Sequence, residues 1–183
     1  MVLNQGDKVG FRGNNSAMAG SYSDFNNHFY ISSGSANVMG NVCSILDKDN
    51  YDTMTRLGRY ALQGLFQGCT GLIDASQMVM KAGNVSANAN CCGHMFEGCS
   101  DLTKGAEFFL TSVGNWSMEY VYRYCSSLSE VYIHYTGSWN TYTMFQGWME
   151  DVSSSGVIYT DNTYIPSGNT SGCPSGWTTQ NFS

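Results

Sequence analysis

The segment Leu65-Phe66-Gln67-Gly68-Cys69-Thr70-Gly71-Leu72 returns further along as Met95-Phe96-Glu97-Gly98-Cys99-Ser100-Asp101-Leu102, and this recurrence constrains the fold more than any other feature of the chain. Two looser copies follow, Val121-Tyr122-Arg123-Tyr124-Cys125-Ser126-Ser127-Leu128 and Met144-Phe145-Gln146-Gly147-Trp148. With Cys69, Cys99, Cys125 and Trp148 as anchors, the period is irregular and shortens from each unit to the next. A unit this short has an apolar face but no interior of its own, so the copies must stack to bury it.

Within each unit the apolar positions before the anchor fall three, one and three residues apart: Leu62, Leu65, Phe66, Cys69, then Cys92, Met95, Phe96, Cys99, then Met118, Val121, Tyr122, Cys125. This spacing predicts a short helical face, ended near Gly68, Gly98 and Gly147. Leu72, Leu102 and Leu128 stand three residues after the anchors, and Glu130-Val131-Tyr132-Ile133-His134-Tyr135 alternates like a strand. The expected fold class is therefore an α/β repeat solenoid, with short parallel strands on one face and short helices on the other.

One domain of 183 residues is expected, in three parts. Residues 1–52 read as a β-rich N-terminal cap, with alternation at Val9 and Phe11, at Phe29 and Ile31, and a further strand or two over 37–46. Residues 53–152 hold about four irregular repeats. Residues 153–183 break the period and read as a C-terminal cap, with both prolines, Pro166 and Pro174, and with Trp177 as a lid over the last coil.

These residues resemble the BspA-type leucine-rich repeat, whose unit reads F-x-G-C-x-x-L followed by a short strand. Phe66 to Leu72 and Phe96 to Leu102 carry the whole signature; Tyr122 and Tyr124 replace Phe and Gly in the third copy, and Trp148 replaces Cys in the fourth. The repeat anchors are Phe66, Cys69, Leu72, Phe96, Cys99, Leu102, Tyr122, Cys125, Leu128, Phe145 and Trp148. The resemblance implies a leucine-rich-repeat solenoid used for adhesion or receptor binding, as in surface proteins of gut bacteria and in tail or fibre proteins of their phages. It brings no catalytic residue with it.

Composition narrows the chemistry. Only 12% of residues are charged and the net charge is -6, so a Lys/Arg stripe for nucleic acid is missing. No run approaches a membrane-spanning length, so no membrane insertion is expected. Met1 to Lys8 lacks the basic-then-apolar order of a signal peptide. Seven cysteines without paired C-x-x-C knuckles give zinc little support, and the repeat register makes Cys69, Cys99 and Cys125 buried packing thiols. Cys91-Cys92 invites a redox reading, but Cys92 falls on the apolar face and packing accounts for the pair. Asp47-Lys48-Asp49-Asn50-Tyr51-Asp52 lacks the Gly and Glu of a calcium loop and reads as a solvated turn. His28, His94 and His134 are dispersed, with His94 read as a solvent-facing turn residue, and no nucleophile elbow or phosphate loop occurs. No metal, cofactor or enzymatic activity is expected. The triplets Asn14-Asn15-Ser16, Asn84-Val85-Ser86, Asn115-Trp116-Ser117 and Asn169-Thr170-Ser171 have the glycosylation form by chance in a chain rich in Asn and Ser.

Tyr and Trp crowd residues 115–142 among small polar neighbours, a composition that gives large rigid contact area at low entropic cost. Trp116, Tyr120, Tyr132, Tyr135, Trp139 and Tyr142 are the candidate binding residues, with Tyr132, Tyr135 and Trp139 expected to be exposed. The expected function is non-enzymatic recognition of a cell-surface protein or glycan, in an extracellular, cell-surface or virion setting. A structural spacer or assembly module of a virion or surface fibre, touching copies of itself as a homo-oligomer, stands as the second reading.

Overall fold

The computed structural model describes residues 4, 6–14, 17–23, 27–31, 33–81, 86–87, 89–140 and 142–182. Parts of the Asn14 and Asn84 triplets, and most of the segment Met1 to Lys8 before Gly6, lie outside them.

Among the described residues nine strands form two parallel sheets. Strands β1 (Ala36–Asn41), β3 (Leu72–Met80), β5 (Lys104–Phe109), β7 (Glu130–His134), β8 (Gly156–Thr160) and β9 (Trp177–Gln180) line up in chain order as one open six-stranded sheet. The two-residue strands β2 (Arg56–Leu57), β4 (Ser86–Ala87) and β6 (Ser112–Val113) make a narrow second sheet. All-parallel pairing requires a crossover after every strand. In the first three crossovers this is a full turn of a coil: long strand, short strand, then a ribbon of turns leading to the next long strand.

That ribbon replaces the helices expected from the sequence. Among the described residues the only helical element is a four-residue 3-10 turn, Val42–Ile45. In the repeats the backbone takes positive φ at every fourth residue: Tyr60, Gly64, Gly68; Asn90, His94, Gly98; Trp116, Tyr120, Tyr124. No α-helix accommodates a left-handed residue once per turn. The hydrogen bonds alternate accordingly. Ala61, Gln63, Leu65, Gln67 and Cys69 donate their N–H groups to the carbonyl three residues back, a chain of overlapping β-turns. Leu62, Gly64, Phe66 and Gly68 donate instead to Cys91, Gly93, Met95 and Glu97 of the next coil, and the second coil treats the third in the same way. A four-residue turn period and a 3.6-residue helical period place apolar side chains alike over so short a stretch. The spacing that predicted a helix is met by the ribbon.

The apolar residues of each ribbon point inward and stack in files. The rings of Phe29, Phe66, Phe96 and Tyr122 form a ladder with centroids 5.6, 5.4 and 5.4 Å apart, the last two pairs nearly parallel. Cys99 and Cys125 donate their thiols to the carbonyls of Phe66 and Phe96 in the preceding coil, at 3.1 and 3.0 Å. All seven cysteines are free and buried. Burial pushes the thiols of Cys43 and Cys99 up to about 12, and those of Cys92 and Cys125 well above the ordinary range. Such thiols stay protonated and act as small apolar fillers.

The fourth coil is set in a different register from the one its sequence suggests. Glu130 pairs with Val157, and Tyr120 and Tyr122 donate to the carbonyls of Gln146 and Trp148. Carried along the ribbon, that pairing puts Val152, not Trp148, in the position of Cys125. Gly147 is at positive φ in the place of Tyr120, four residues before the place of Gly98. A ribbon that repeats every four residues makes a four-residue slip invisible to pattern matching, which is how Phe145-Gln146-Gly147-Trp148 imitates the anchor motif.

The flanks differ from expectation in part. Neither Val9 and Phe11 nor Phe29 and Ile31 are in strands; β1 supplies a strand where residues 37–46 suggested one and is, among the described residues of the N-terminal segment, the only one to join the sheet, while Phe29 donates to the Leu65 carbonyl and heads the ring ladder. At the other end β8 and β9 continue the sheet. Trp177, within β9, is buried and donates its indole N–H to the Ser153 carbonyl at 2.9 Å.

Candidate ligand face

In each long strand alternate side chains enter the core and the remainder face outward. On β7, Val131 and Ile133 are buried, leaving Glu130, Tyr132 and His134 on the outer face. Parallel register then aligns their neighbours: Lys104, Glu130 and Val157 in one row, Glu107, Tyr132 and Tyr159 in the next, Phe109 and His134 in a third.

These rows are tied together. Lys104 lies 2.9 Å from a Glu130 oxygen, and the Tyr132 hydroxyl donates to Glu130. Burial, and then the bond to Glu130, push the Tyr132 hydroxyl up, so it remains a donor across the physiological range. Tyr132 stacks on Tyr159 with centroids 5.1 Å apart. In the third row Lys81 sits 4.6 Å from the centre of the Phe109 ring, Phe109 stacks on His134 at 4.1 Å, and His134 stacks on Phe182 at 3.8 Å. The two imidazole nitrogens of His134 face Glu107 at 2.9 Å and Asp161 at 2.6 Å. The result is a stripe of stacked rings with carboxylates between them, carried by the strands of the sheet and by Asp161 and Phe182 just beyond β8 and β9.

Of the six candidate binding residues, this face holds only Tyr132. Tyr135, expected at the surface, is buried at 5% exposure because it follows the strand into the core and packs on Phe145 and Trp139. Trp139 is half-buried, stacked on Phe145 at 3.7 Å, its indole N–H given to the Ser171 carbonyl. Tyr142 is exposed in a loop, and Trp116 and Tyr120 belong to the third ribbon, apart from the sheet. Lys104, Glu107, Phe109, Glu130, His134, Tyr159 and Phe182 went unrecognised. The alternation of Glu130 to Tyr135 carried the signal for Glu130 and His134; nothing in the sequence indicates that Phe182 folds back over them.

His94, expected to face solvent, is buried at 6%. Its ring lies between coils, with Nδ1 2.7 Å from Glu97. Glu97 also accepts from Gln67 Nε2 at 2.7 Å and Arg123 Nε at 2.6 Å, so residues from three coils converge on one carboxylate. Asp47 accepts the backbone N–H groups of Asp49 and Asn50 in its own turn. Cys91 and Cys92 are both buried, their sulfurs 3.3 Å apart and unbonded, with Cys92 also 3.3 Å from the Met80 sulfur. Among the described residues no three His, Cys, Asp or Glu side chains form a group able to hold a metal ion, and no helix is long and apolar enough to cross a membrane.

No family model, curated protein or solved structure matches the chain at a significant level.

Proposed function

We propose that the chain is a non-enzymatic recognition module, a short leucine-rich-repeat solenoid of the BspA type, acting outside the cell and reading a cell-surface glycan or protein with the outer face of its six-stranded sheet. The observation that carries this reading is the ring and carboxylate stripe of Tyr132, Tyr159, Phe109, His134 and Phe182 with Glu107, Glu130 and Asp161. The stacked, half-buried rings form an apolar strip against which a sugar ring or a flat side chain can pack, and the carboxylates beside it accept from hydroxyls or amides. The groups are preorganised by packing, which lowers the entropy lost on binding. Glycan arrays and whole-cell binding with wild-type protein, set against Tyr132→Ala/Tyr159→Ala, test it. A ligand bound by the wild type and lost at least tenfold, about 1.4 kcal/mol, in the folded variant is expected. Undiminished binding by that variant sinks the assignment of the face.

A structural spacer or assembly module in a virion or surface fibre is the second reading, favoured by the two outermost strands. Among the described residues β1 pairs only with β3, and β9 only with β8, so each has an edge able to add another parallel strand. Head-to-tail association would extend the sheet into a filament. Light scattering that stays monomeric at high concentration counts against it.

A further inference from the structure

One row of ribbon positions is buried yet incompletely hydrogen-bonded. Gln63, Gly93 and Glu119 occupy equivalent places in three successive coils, since Gly64 donates to the Gly93 carbonyl and His94 to the Glu119 carbonyl. Gln63 and Glu119 are buried, at 1% and 5% exposure, and Gly93 between them contributes no side chain. Gln63 Nε2 is fixed by the carbonyls of Ser21 and Tyr22 at 3.1 and 2.9 Å, which turns its Oε1 away from them. Gln63 Oε1 and Glu119 Oε2 are both buried acceptors with no hydrogen-bond partner among the described residues. The Tyr22 hydroxyl serves Glu119, and the nearby His94 imidazole and Arg123 guanidinium, both of which favour its ionised form, are engaged by Glu97, whose own charge opposes it.

Beside Glu119 lies a cleft of about 320 Å³ lined by Tyr22, Arg59, Tyr60, Asn90, Trp116 and Glu119. Tyr60, Asn90 and Trp116 are again one ribbon position in three coils, all left-handed, with φ of 58°, 56° and 56°. Left-handed backbone is unfavourable for a bulky Tyr or Trp, and here it sets two rings and an amide around the same opening. Tyr22 and Trp116 remain 44% and 39% exposed, so the rings are accessible.

We infer that this cleft binds a protonated amine, an alkylammonium group seated against the rings of Tyr22, Tyr60 and Trp116 and balanced by the Glu119 carboxylate. Such a group supplies both things the site lacks. Its charge compensates a buried carboxylate, and its N–H groups meet the Glu119 acceptor at the cleft, which otherwise incurs the desolvation penalty of an unmade bond. Aromatic faces add cation–π attraction, a mode this rim already displays, with the exposed Arg59 guanidinium 5.4 Å from the Tyr60 centroid. Burial raises the Glu119 carboxyl above its ordinary range, so a bound cation, which favours the ionised form, displaces a proton. Two sources present this chemistry: a free alkylamine and the lysine side chain of a partner protein.

Isothermal titration with n-butylammonium, with 1-butanol as its neutral counterpart, and with a lysine-containing peptide tests the inference. Butylammonium or the peptide binds at one site, 1-butanol at least tenfold more weakly, and affinity rises as pH rises through the Glu119 titration. The tighter of the two cations names the source. Glu119→Gln, which keeps size and shape, and Trp116→Ala each weaken binding at least tenfold, with folding checked by amide NMR spectra. Equal binding of 1-butanol, full affinity in folded Glu119→Gln, or no binding of either cation up to about 10 mM, where even contacts worth about 3 kcal/mol would register, overturns it.

Discussion

Replacing Glu97 with Gln exposes how strongly the coils are stapled to one another. Glu97 is 7% exposed and accepts from Gln67, His94 and Arg123, one group from each neighbouring coil and one from its own. Burial alone raises its carboxyl, but the bonds from His94, Arg123 and Gln67 outweigh burial and hold it at about 2, against an ordinary 4.5. At about 1.4 kcal/mol per tenfold change in proton affinity, that depression is worth about 3 kcal/mol at neutral pH. Breaking a buried ion pair by removing one partner costs about 3 to 5 kcal/mol, so the two routes agree. The sign follows from the direction of the shift. The stabilisation is complete above the unfolded value of 4.5, is lost as pH falls through about 2, and is absent below both. Glutamine retains one acceptor oxygen and never carries the charge. Urea unfolding of wild type and Glu97→Gln from neutral pH downward therefore shows a gap of about 3 kcal/mol at pH 7, shrinking to roughly half by about pH 3. A gap that does not change with pH refutes the electrostatic account and leaves only shape complementarity at this position.

Two further substitutions test the packing. Cys99→Ser places a hydroxyl within reach of the Phe66 carbonyl that the thiol already uses at 3.1 Å, and costs less than about 1 kcal/mol; Cys92→Ser meets only the sulfurs of Cys91 and Met80 and costs about 1 to 3 kcal/mol by chemical denaturation. Equal losses would show that carbonyl acceptors do not govern the thiol file. Gly105→Ala would put a methyl 2.5 Å from the Tyr122 hydroxyl and 2.8 Å from its ring carbon, against the last rung of the ladder, and lowers stability by about 1 to 3 kcal/mol; the Tyr122→Phe background, which removes that hydroxyl, recovers part of the loss.

The repeat itself was legible from Phe66 to Leu72 and its copies, because stacking demands that the same inward positions recur whatever the backbone between them does. Burial of Phe66, Cys99, Leu102, Tyr122 and Leu128, the run of parallel strands, and the burial of the repeat cysteines as free thiols all follow from that recurrence. What the periodicity did not carry was the backbone of the crossovers. Spacings of three, one and three residues suit a helix and a four-residue turn ribbon alike. The choice depends on where N–H groups find acceptors, and for half of them the acceptor lies in another coil, a whole repeat away along the chain.

The same non-local cause governs the other departures. Tyr135, Trp139 and His94 have side chains that suit surface or interior, and only the neighbouring coils decided that they are covered. The fourth unit's register was ambiguous by one ribbon period and was settled by the pairing of Glu130 with Val157. By itself, then, the sequence determined that this chain stacks in parallel coils around files of Phe, Cys and Leu. The tertiary structure alone decided that turns link those strands, that Phe109, His134, Tyr132, Tyr159 and Phe182 meet on one face, and that Glu119 is buried beside an open cleft, since each is a contact between residues from different coils.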